Sequence, residues 1–232
     1  MQNNLSRSPS RSVMHGFSTM PAPSAQLFVL IHGLGGSRQS WLADESYTHG
    51  ARLTRELTRR GIAWIAADLY GHGAWPAEEV DFDTRHIPDA CWPSFVARSV
   101  SRLCELTRQA VAQGAYTRLT LLSYSAGSTI LAKLAQEALG CPVETLVLAA
   151  PVPDRDMDDT YSLHNNPAAF AGRRCLVYGG KADEEVPAAE LCDWFEGLDA
   201  GQKSLRLYAA GHALPAAWVE DLLNDLGLCQ TP

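Results

Sequence analysis

Short apolar runs recur along the chain from residue 27 onward, and their alternation with segments of helical period constrains the fold most. Six runs rich in Val, Ile and Leu are found at Leu27–Ile31, Ile62–Ala67, Arg118–Leu122, Glu144–Ala149, Arg174–Tyr178 and Leu205–Tyr208. The strands of a parallel sheet are buried on both faces and are therefore apolar along their length. The sequence thus predicts six buried, parallel strands.

The segments between these runs carry apolar residues at helical spacing. Val96, Val100 and Leu103 recur at i, i+4 and i+7 and predict a helix over about 93–112, with Pro93 in its first turn. The same spacing predicts two further helices, one marked by Leu53 and Leu57 before Gly61, the other marked by Ile130, Leu131, Leu134 and Leu139 and ended by Gly140. Alternating strands and helices predict an α/β fold whose ligands bind at the carboxyl ends of the strands.

The strongest local motif lies where a predicted strand turns directly into a helix. Its sequence is Leu-Leu-Ser-Tyr-Ser-Ala-Gly over residues 121–127. It resembles the nucleophile elbow G-x-S-x-G of the α/β-hydrolases, although Ser123 stands where the elbow has its first Gly. The resemblance implies that Ser125 is a nucleophile on a strained turn. The alternative is a packing contact of small residues between strand and helix.

Two further loops resemble parts of the same superfamily. The segment His-Gly-Leu-Gly-Gly from His32 follows the first strand and resembles the H-G-x-x-G oxyanion loop. The resemblance implies that the backbone N–H groups of Leu34 and of Tyr124, which adjoins Ser125, form the oxyanion hole, and that His32 is structural. The segment 68–73 resembles the D-x-x-G-H-G turn, whose role in the superfamily is mostly architectural.

A serine nucleophile needs a base and a group that orients the base. The loop from Tyr178 to Pro187 resembles the loop that carries the acid, which would be Asp183, and a Gly-His pair near the last strand resembles the loop that carries the base, His212. These residues follow Ser125 in the order Ser, Asp, His that is typical of the superfamily. Asp154, just past the Glu144–Ala149 run, is an alternative acid.

Each of these residues also has a purely structural interpretation, with Asp183 as a helix cap and His212 as a loop residue. The order of the motifs, each just past a predicted strand, favours the functional interpretation. The resemblance covers residues 27 to about 226. It implies an α/β-hydrolase fold with a mostly parallel sheet of about six strands and helices on both faces. A short cap insertion is expected around 151–172, and a second loop over 74–92 would bring Trp75, Phe82 and Trp92 to the site.

The function implied is that of a serine hydrolase that cleaves acyl esters through a Ser-His-Asp triad and an acyl-enzyme. A carboxylesterase acting on small uncharged esters is expected, because the loops around the site are acidic and the cap is short. Those loops contain Glu78, Glu79, Asp81, Asp83, Asp154, Asp156, Asp158, Asp159, Glu184 and Glu185, against Arg85, Arg155 and Lys181. Alternatives with the same triad are a thioesterase, an acyltransferase or a peptidase. A non-catalytic binding module is a further alternative.

Neither a metal nor a nucleotide cofactor is expected. Neither G-x-G-x-x-G nor G-x-x-x-x-G-K-[ST] occurs in the sequence. The D-x-D-x-D run from Asp154 has Asp159 where a calcium loop needs Gly, and Asn165 where it needs Glu. The expected partner is therefore a small-molecule acyl substrate.

Composition excludes several other classes. A net charge of −7 disfavours nucleic-acid binding, and no run of about 18 apolar residues spans a membrane. The six cysteines form no C-x-x-C pair and are expected to be reduced thiols of a cytoplasmic protein. Residues 1–25 contain six Ser, three Pro, two Arg and no acidic residue, and lack the apolar core of a secretory signal. They predict a disordered tail before a single domain over 26–232.

Overall fold

The computed structural model describes residues 25–75, 80, 82–153 and 159–228. The predicted tail, apart from residue 25, lies outside the described residues. Six strands form one sheet, namely β1 (Gln26–Ile31), β2 (Ala63–Ala66), β3 (Arg118–Tyr124), β4 (Val143–Ala149), β5 (Arg174–Gly180) and β6 (Gln202–Tyr208). Their order is β2-β1-β3-β4-β5-β6, and all five pairings are parallel. The prediction of six parallel strands is confirmed.

The strand order reverses direction at β1, because the chain runs outward from β1 to β2 and then crosses to β3 on the other side of β1. Loops that leave the carboxyl ends of β1 and β3 therefore diverge. A crevice opens where such loops diverge, and ligands of open α/β sheets bind at this point. The motifs at residues 32–36 and 121–127 both lie there.

In the described part of the chain, five α-helices cover the two faces of the sheet. They are α1 (Gly50–Arg59), α2 (Trp92–Gln113), α3 (Gly127–Leu134), α4 (Ala188–Gly197) and α5 (Ala217–Asp225). One buried apolar cluster joins α2, α3 and α4 to the sheet, and a second joins α1 and α5 to the opposite face. Helices on both faces are thus confirmed, and the architecture is the one that the resemblance to α/β-hydrolases implies.

Most predicted boundaries differ from the structure by one or two residues, and two differ by more. Strand β6 begins at Gln202 rather than Leu205, since its first three residues are polar and exposed at the sheet edge and give no apolar signal. Helix α3 ends at Leu134 and does not continue to Gly140. The N–H groups of Gln136 and Glu137 donate to carbonyl groups three residues back, so the chain leaves the helix through tight turns.

The segment between β4 and β5 contains short 3-10 helices at Asp159–Tyr161 and Pro167–Ala169. Residues 154–158 of the expected cap lie outside the described residues, so the short cap stays a prediction. Among the described helices, none is both long enough and apolar enough to cross a membrane.

Candidate active site

Ser125 stands at the turn between β3 and α3 in the left-handed conformation, with φ of 50°. A residue other than glycine rarely adopts this conformation, which costs about 1–3 kcal/mol and persists where the surroundings hold it. The Ser125 N–H donates to the carbonyl oxygen of Ala149 at 2.9 Å. A Cβ on Gly127 would lie 2.6 Å from the carbonyl oxygen of His32, so only glycine fits there. The turn therefore packs against the loop after β1 and presents Ser125 at the carboxyl end of the sheet.

Ser125, His212 and Asp183 form one chain of hydrogen bonds. His212 Nε2 lies 2.8 Å from Ser125 Oγ, and His212 Nδ1 lies 2.9 Å from Asp183 Oδ2. When Nδ1 carries the proton and donates to Asp183, Nε2 is left to accept the Ser125 hydroxyl proton. The three side chains come from the turn after β3, the loop after β5 and the loop after β6. The structure thus brings together the three residues that the motifs single out.

The carboxylate of Asp183 is buried, and its other oxygen, Oδ1, accepts hydrogen bonds from the backbone. Asp183 Oδ1 accepts the N–H groups of Glu185 at 2.9 Å and Val186 at 3.1 Å, just before α4 begins. The helix-cap interpretation of Asp183 is wrong, because the N-cap of α4 is Pro187, no side chain caps the helix, and the bonds to Glu185 and Val186 close a turn that precedes it. Asp154, the alternative acid, lies outside the described residues, as do Asp156 and Asp158.

The loop after β1 passes directly beside Ser125. A Cβ on Gly33 would lie 3.0 Å from Ser125 Cβ and 3.6 Å from its Oγ. The carbonyl oxygen of Gly33 accepts the N–H of Gly36 at 3.2 Å and lies 2.7 Å from His32 Nδ1. The carbonyl group of the Gly33–Leu34 peptide is therefore fixed by these two contacts. The N–H group of the same peptide, which belongs to Leu34, points away from them. Within the described part of the chain this N–H donates to no acceptor.

His32 is buried and neutral. Its Nε2 accepts the N–H of Leu69 at 3.1 Å, so the proton resides on Nδ1 and is donated to Gly33. Burial lowers the pKa of His32 to about 4. These contacts agree with the structural role expected for His32, and they connect the loop after β1 to the loop after β2.

The expectation that the N–H of Tyr124 belongs to the oxyanion hole is wrong. Tyr124 is the last residue of β3, and N–H groups in a strand point alternately to its two neighbours. Since the next N–H, that of Ser125, donates to β4, the N–H of Tyr124 lies in the sheet on the β1 side. The carbonyl oxygen of Tyr124 also points there, 3.1 Å from where a Cβ of Gly33 would be.

The N–H that follows Ser125 along the chain belongs to Ala126. Ala126 precedes the first residue of α3, and its N–H donates to no acceptor among the described residues. The elbow of α/β-hydrolases uses the N–H of the residue after the nucleophile. The candidate donors are therefore Leu34 and Ala126, and the position after Ser125 is the sequence signal for the second.

The turn at 68–73 supports the loop after β1. Asp68 Oδ1 accepts the backbone N–H of Arg38 at 2.7 Å, and Asp68 Oδ2 forms an ion pair with the Arg38 guanidinium at 3.3 Å. His72 Nε2 accepts the N–H of Gly35 at 3.2 Å, and burial lowers the pKa of His72. These contacts agree with an architectural role for this turn.

Trp75, Phe82 and Trp92 pack in an aromatic cluster around Tyr70 and Phe95. Trp75 and Phe82 meet Tyr70 edge-on with ring centroids 5.2 and 5.7 Å apart, and Trp92 meets Phe95 at 5.2 Å. The cluster fastens the loop after β2 to α2. Their expected role as apolar lining of the site stays a prediction. No group of three or more His, Cys, Asp or Glu in the described residues is arranged to hold a metal ion.

The fold and the Ser-His-Asp arrangement at its switch point are those of an α/β-hydrolase. The chain belongs to the alpha/beta hydrolase family, whose model matches residues 28–229. No curated protein sequence matches it significantly.

Several solved structures are similar to this one at low identity. Est1E from Butyrivibrio proteoclasticus, with ferulic acid bound, is 15% identical with a TM-score of 0.63, covering 90% of this chain and 92% of that one. The Pyrococcus furiosus esterase Pf2001 is 14% identical with a TM-score of 0.65, covering 88% and 81%. The Bacillus cereus carboxylesterase is 19% identical with a TM-score of 0.63, covering 94% and 95%. At such identities the likeness shows the fold alone.

Proposed function

We propose that this protein is a serine hydrolase that cleaves carboxylic esters through Ser125, His212 and Asp183. The observation that carries the proposal is the continuous chain from Asp183 Oδ2 through the imidazole to Ser125 Oγ, with contacts of 2.9 and 2.8 Å. The strained turn at Ser125 supports it, because strain of this kind clusters at active sites. A binding module would have no use for this arrangement.

The reaction begins with attack of Ser125 Oγ on the ester carbonyl carbon. His212 takes the hydroxyl proton at Nε2, and Asp183 stabilises the imidazolium and holds its tautomer. The C–O bond to the alcohol breaks as His212 returns the proton to the leaving alkoxide. Water, deprotonated by the same imidazole, then cleaves the acyl-enzyme to release the acid and restore Ser125.

The negative charge on the carbonyl oxygen would be received by the N–H groups of Leu34 and Ala126. Each such donor is typically worth about 3 kcal/mol of transition-state stabilisation. The N-terminal end of α3 directs its partial positive charge to the same place. The locked Gly33–Leu34 peptide supports this assignment, since a preorganised donor needs no reorientation during the reaction.

Small uncharged esters are the proposed substrate class. Glu184 and Glu185 are exposed directly after Asp183, against the exposed cations Lys181 and Arg85, and the guanidinium of Arg38 is paired with Asp68. A coenzyme A thioester carries phosphate groups that need Arg or Lys partners, and a chain of net charge −7 repels it. Esterases among the similar structures favour esters over amides as the first substrates to test.

The proposal is tested first by covalent labelling. A fluorophosphonate probe should form an adduct on Ser125, located by peptide mass spectrometry, and Ser125→Ala should abolish it. Ser123→Ala is the matched control, because Ser123 lies two residues away and its buried hydroxyl has no partner in the described chain. An unlabelled wild-type protein would contradict the hydrolase mechanism.

The substrate class is tested separately by kcat/KM for p-nitrophenyl butyrate, p-nitrophenyl palmitate and butyryl-CoA at low and high salt. The butyrate ester should be the best of the three. Butyryl-CoA should be poor and should improve with salt, because screening weakens repulsion between like charges. If butyryl-CoA is the best substrate, the protein is a thioesterase and the charge argument is wrong.

A further inference from the structure

We propose that Tyr124 is the positioning residue for the His212 imidazole, which its buried hydroxyl holds through two backbone groups of the loop after β6. The inference rests on the proposed function, since it concerns how the proposed base is kept at its distance from Ser125. The role proposed for Tyr124 belongs to its side chain. The backbone N–H of the same residue lies within the sheet and has no part in this role.

The hydroxyl of Tyr124 contacts two backbone groups of the loop that carries His212. It lies 2.7 Å from the carbonyl oxygen of His212 and 3.0 Å from the backbone nitrogen of Leu214. A backbone N–H can only donate, so the hydroxyl accepts from Leu214 and must donate its own proton to His212. Burial raises the pKa of Tyr124, so this proton stays in place at working pH. One hydroxyl therefore fixes the turn that carries the imidazole.

The ring of Tyr124 is placed between the two loops of the site. Tyr124 is fully buried, and its ring meets the imidazole of His212 edge-on, with centroids 6.1 Å apart and planes at 90°. On its other side it meets Tyr47 at 5.1 Å. Tyr47 belongs to the segment after the oxyanion loop, and its hydroxyl oxygen would be 3.0 Å from a Cβ on Gly36. The loop that carries His212 thus contacts Tyr124 directly, and the oxyanion loop contacts it through Tyr47.

The loop after β6 is held by the loop after β5, where the N–H of Ala182 donates to the carbonyl oxygen of Ala210 at 2.9 Å, and by the hydroxyl of Tyr124. Strand β6 is at the edge of the sheet and pairs with β5 alone, and its first three residues are exposed. Asp183 and Ser125 contact the two ring nitrogens of His212, whereas the Tyr124 hydroxyl contacts the backbone that carries the ring. Tyr124 is the residue before Ser125, so a single strand carries both the nucleophile and the group that fixes the base. The Tyr124 hydroxyl therefore ties the loop that carries His212 to the end of β3, next to Ser125, which lies 2.8 Å from the imidazole.

The chain offers a matched control at Tyr178. Tyr124 and Tyr178 both pair with Ala149 in register and belong to the same apolar cluster, and each is almost completely buried. The hydroxyl of Tyr178 donates to Asp225 of α5 at 2.8 Å and touches none of the three site residues. Each Phe substitution removes one hydroxyl and its hydrogen bonds, but Asp225 keeps its ion pair with Arg206, and only Tyr124→Phe removes bonds to the loop that carries His212.

The experiment compares Tyr124→Phe, Tyr178→Phe and the wild type for kcat and KM on p-nitrophenyl butyrate, for the rate of fluorophosphonate labelling, and for the melting temperature. Tyr124→Phe should lower kcat and the labelling rate by roughly 10- to 100-fold, the effect of a displaced base, with KM little changed. Tyr178→Phe should lower the melting temperature and leave both rates at the wild-type level.

Wild-type kcat in folded Tyr124→Phe would overturn the inference, and so would an equal loss of kcat in the two variants. If Tyr124→Phe does not fold, 4-methylphenylalanine at position 124 fills the volume of the hydroxyl without its hydrogen bonds, and the same loss of kcat is expected. A wild-type protein with neither hydrolysis nor labelling at Ser125 would contradict the proposed function itself, and this inference with it.

Discussion

His32 is joined to Gly33 by a hydrogen bond of 2.7 Å from its Nδ1 to the neighbouring carbonyl oxygen, and this bond requires one tautomer. The other ring nitrogen must stay unprotonated, because it accepts the N–H of Leu69. If the His32 imidazole were protonated, its Nε2–H would face the N–H of Leu69. Two hydrogen-bond donors would then oppose each other in a buried site. The loop after β1, which carries the proposed oxyanion donor, is therefore connected to the ionisation state of a histidine outside the Ser-His-Asp chain.

The first prediction concerns stability and pH. The pKa of His32 is about 4 in the folded protein, against ~6.5 for an unperturbed histidine. Between these values the unfolded chain binds a proton at His32 that the folded chain does not bind. The contribution of His32 to the free energy of unfolding is complete above about pH 6.5 and is lost as the pH falls to 4, by about 3 kcal/mol.

Urea unfolding of the wild type and His32→Gln at pH 7.5, 6, 5 and 4.5 measures this contribution. The wild type should be the more stable protein at pH 7.5, and the difference should narrow as the pH falls. Carboxylates that titrate in this range change the free energy of unfolding of both proteins alike. Their contribution therefore cancels in the difference between the two. A difference that is constant with pH would mean that His32 titrates alike in both states.

The second prediction concerns the hydrogen-bonded chain at Ser125. Ser125→Ala and His212→Ala should each lower kcat by about 10⁴ or more, because the parts act as one unit. Asp183→Asn should cost about 10⁴, since the amide favours the wrong imidazole tautomer. Asp154→Asn is the control and should retain wild-type kcat. Collapse in Asp154→Asn with activity kept in Asp183→Asn would move the acid to Asp154.

The third prediction uses the serine that replaces the first glycine of the elbow. Ser123 Oγ is buried without a partner in the described chain, so Ser123→Ala should raise the free energy of unfolding by about 1 kcal/mol. Ser128→Ala is the contrast, because Ser128 Oγ accepts the N–H of Val152 at 3.3 Å, and its loss should cost about 1 kcal/mol. Urea midpoints measure both, and destabilisation by Ser123→Ala would show that this hydroxyl has a partner.

The sequence predicted the sheet and the grouping of Ser125, Asp183 and His212 because both depend on local patterns. Buried parallel strands are apolar throughout, and each motif follows directly on a strand end, where the topology brings loops together. The role of the Tyr124 hydroxyl could not be predicted in this way. Its partners lie 88 and 90 residues away, and that contact depends on side-chain packing between β3 and the loop after β6.

The boundary errors have similar causes. The start of β6 is polar because an edge strand has one neighbour and faces solvent, so an apolar pattern begins too late. Leu139 is buried like a helix residue although it lies beyond the end of α3, since burial in a turn gives the same apolar signal. In both places tertiary burial, rather than local periodicity, decides the residue type.

The last prediction concerns Asp68, which connects the turn after β2 to the oxyanion loop. Its side chain is 7% exposed, accepts the N–H groups of Arg38 and Ala74, and pairs with the Arg38 guanidinium at 3.3 Å. Asp68→Asn leaves a mostly buried cation without its counter-charge, which costs about 3–5 kcal/mol of stability. The oxyanion loop should also loosen, so kcat should fall.

The matched control is Asp44→Asn, which removes an ion pair with Arg55 on the protein surface, where both side chains are more than half exposed. Solvent screening limits such a pair to about 0–1 kcal/mol, and kcat should not change. Urea unfolding and kcat on p-nitrophenyl butyrate measure both variants below their unfolding transitions. Equal, small effects of the two substitutions would mean that Asp68 is a surface charge in solution and does not support the oxyanion loop.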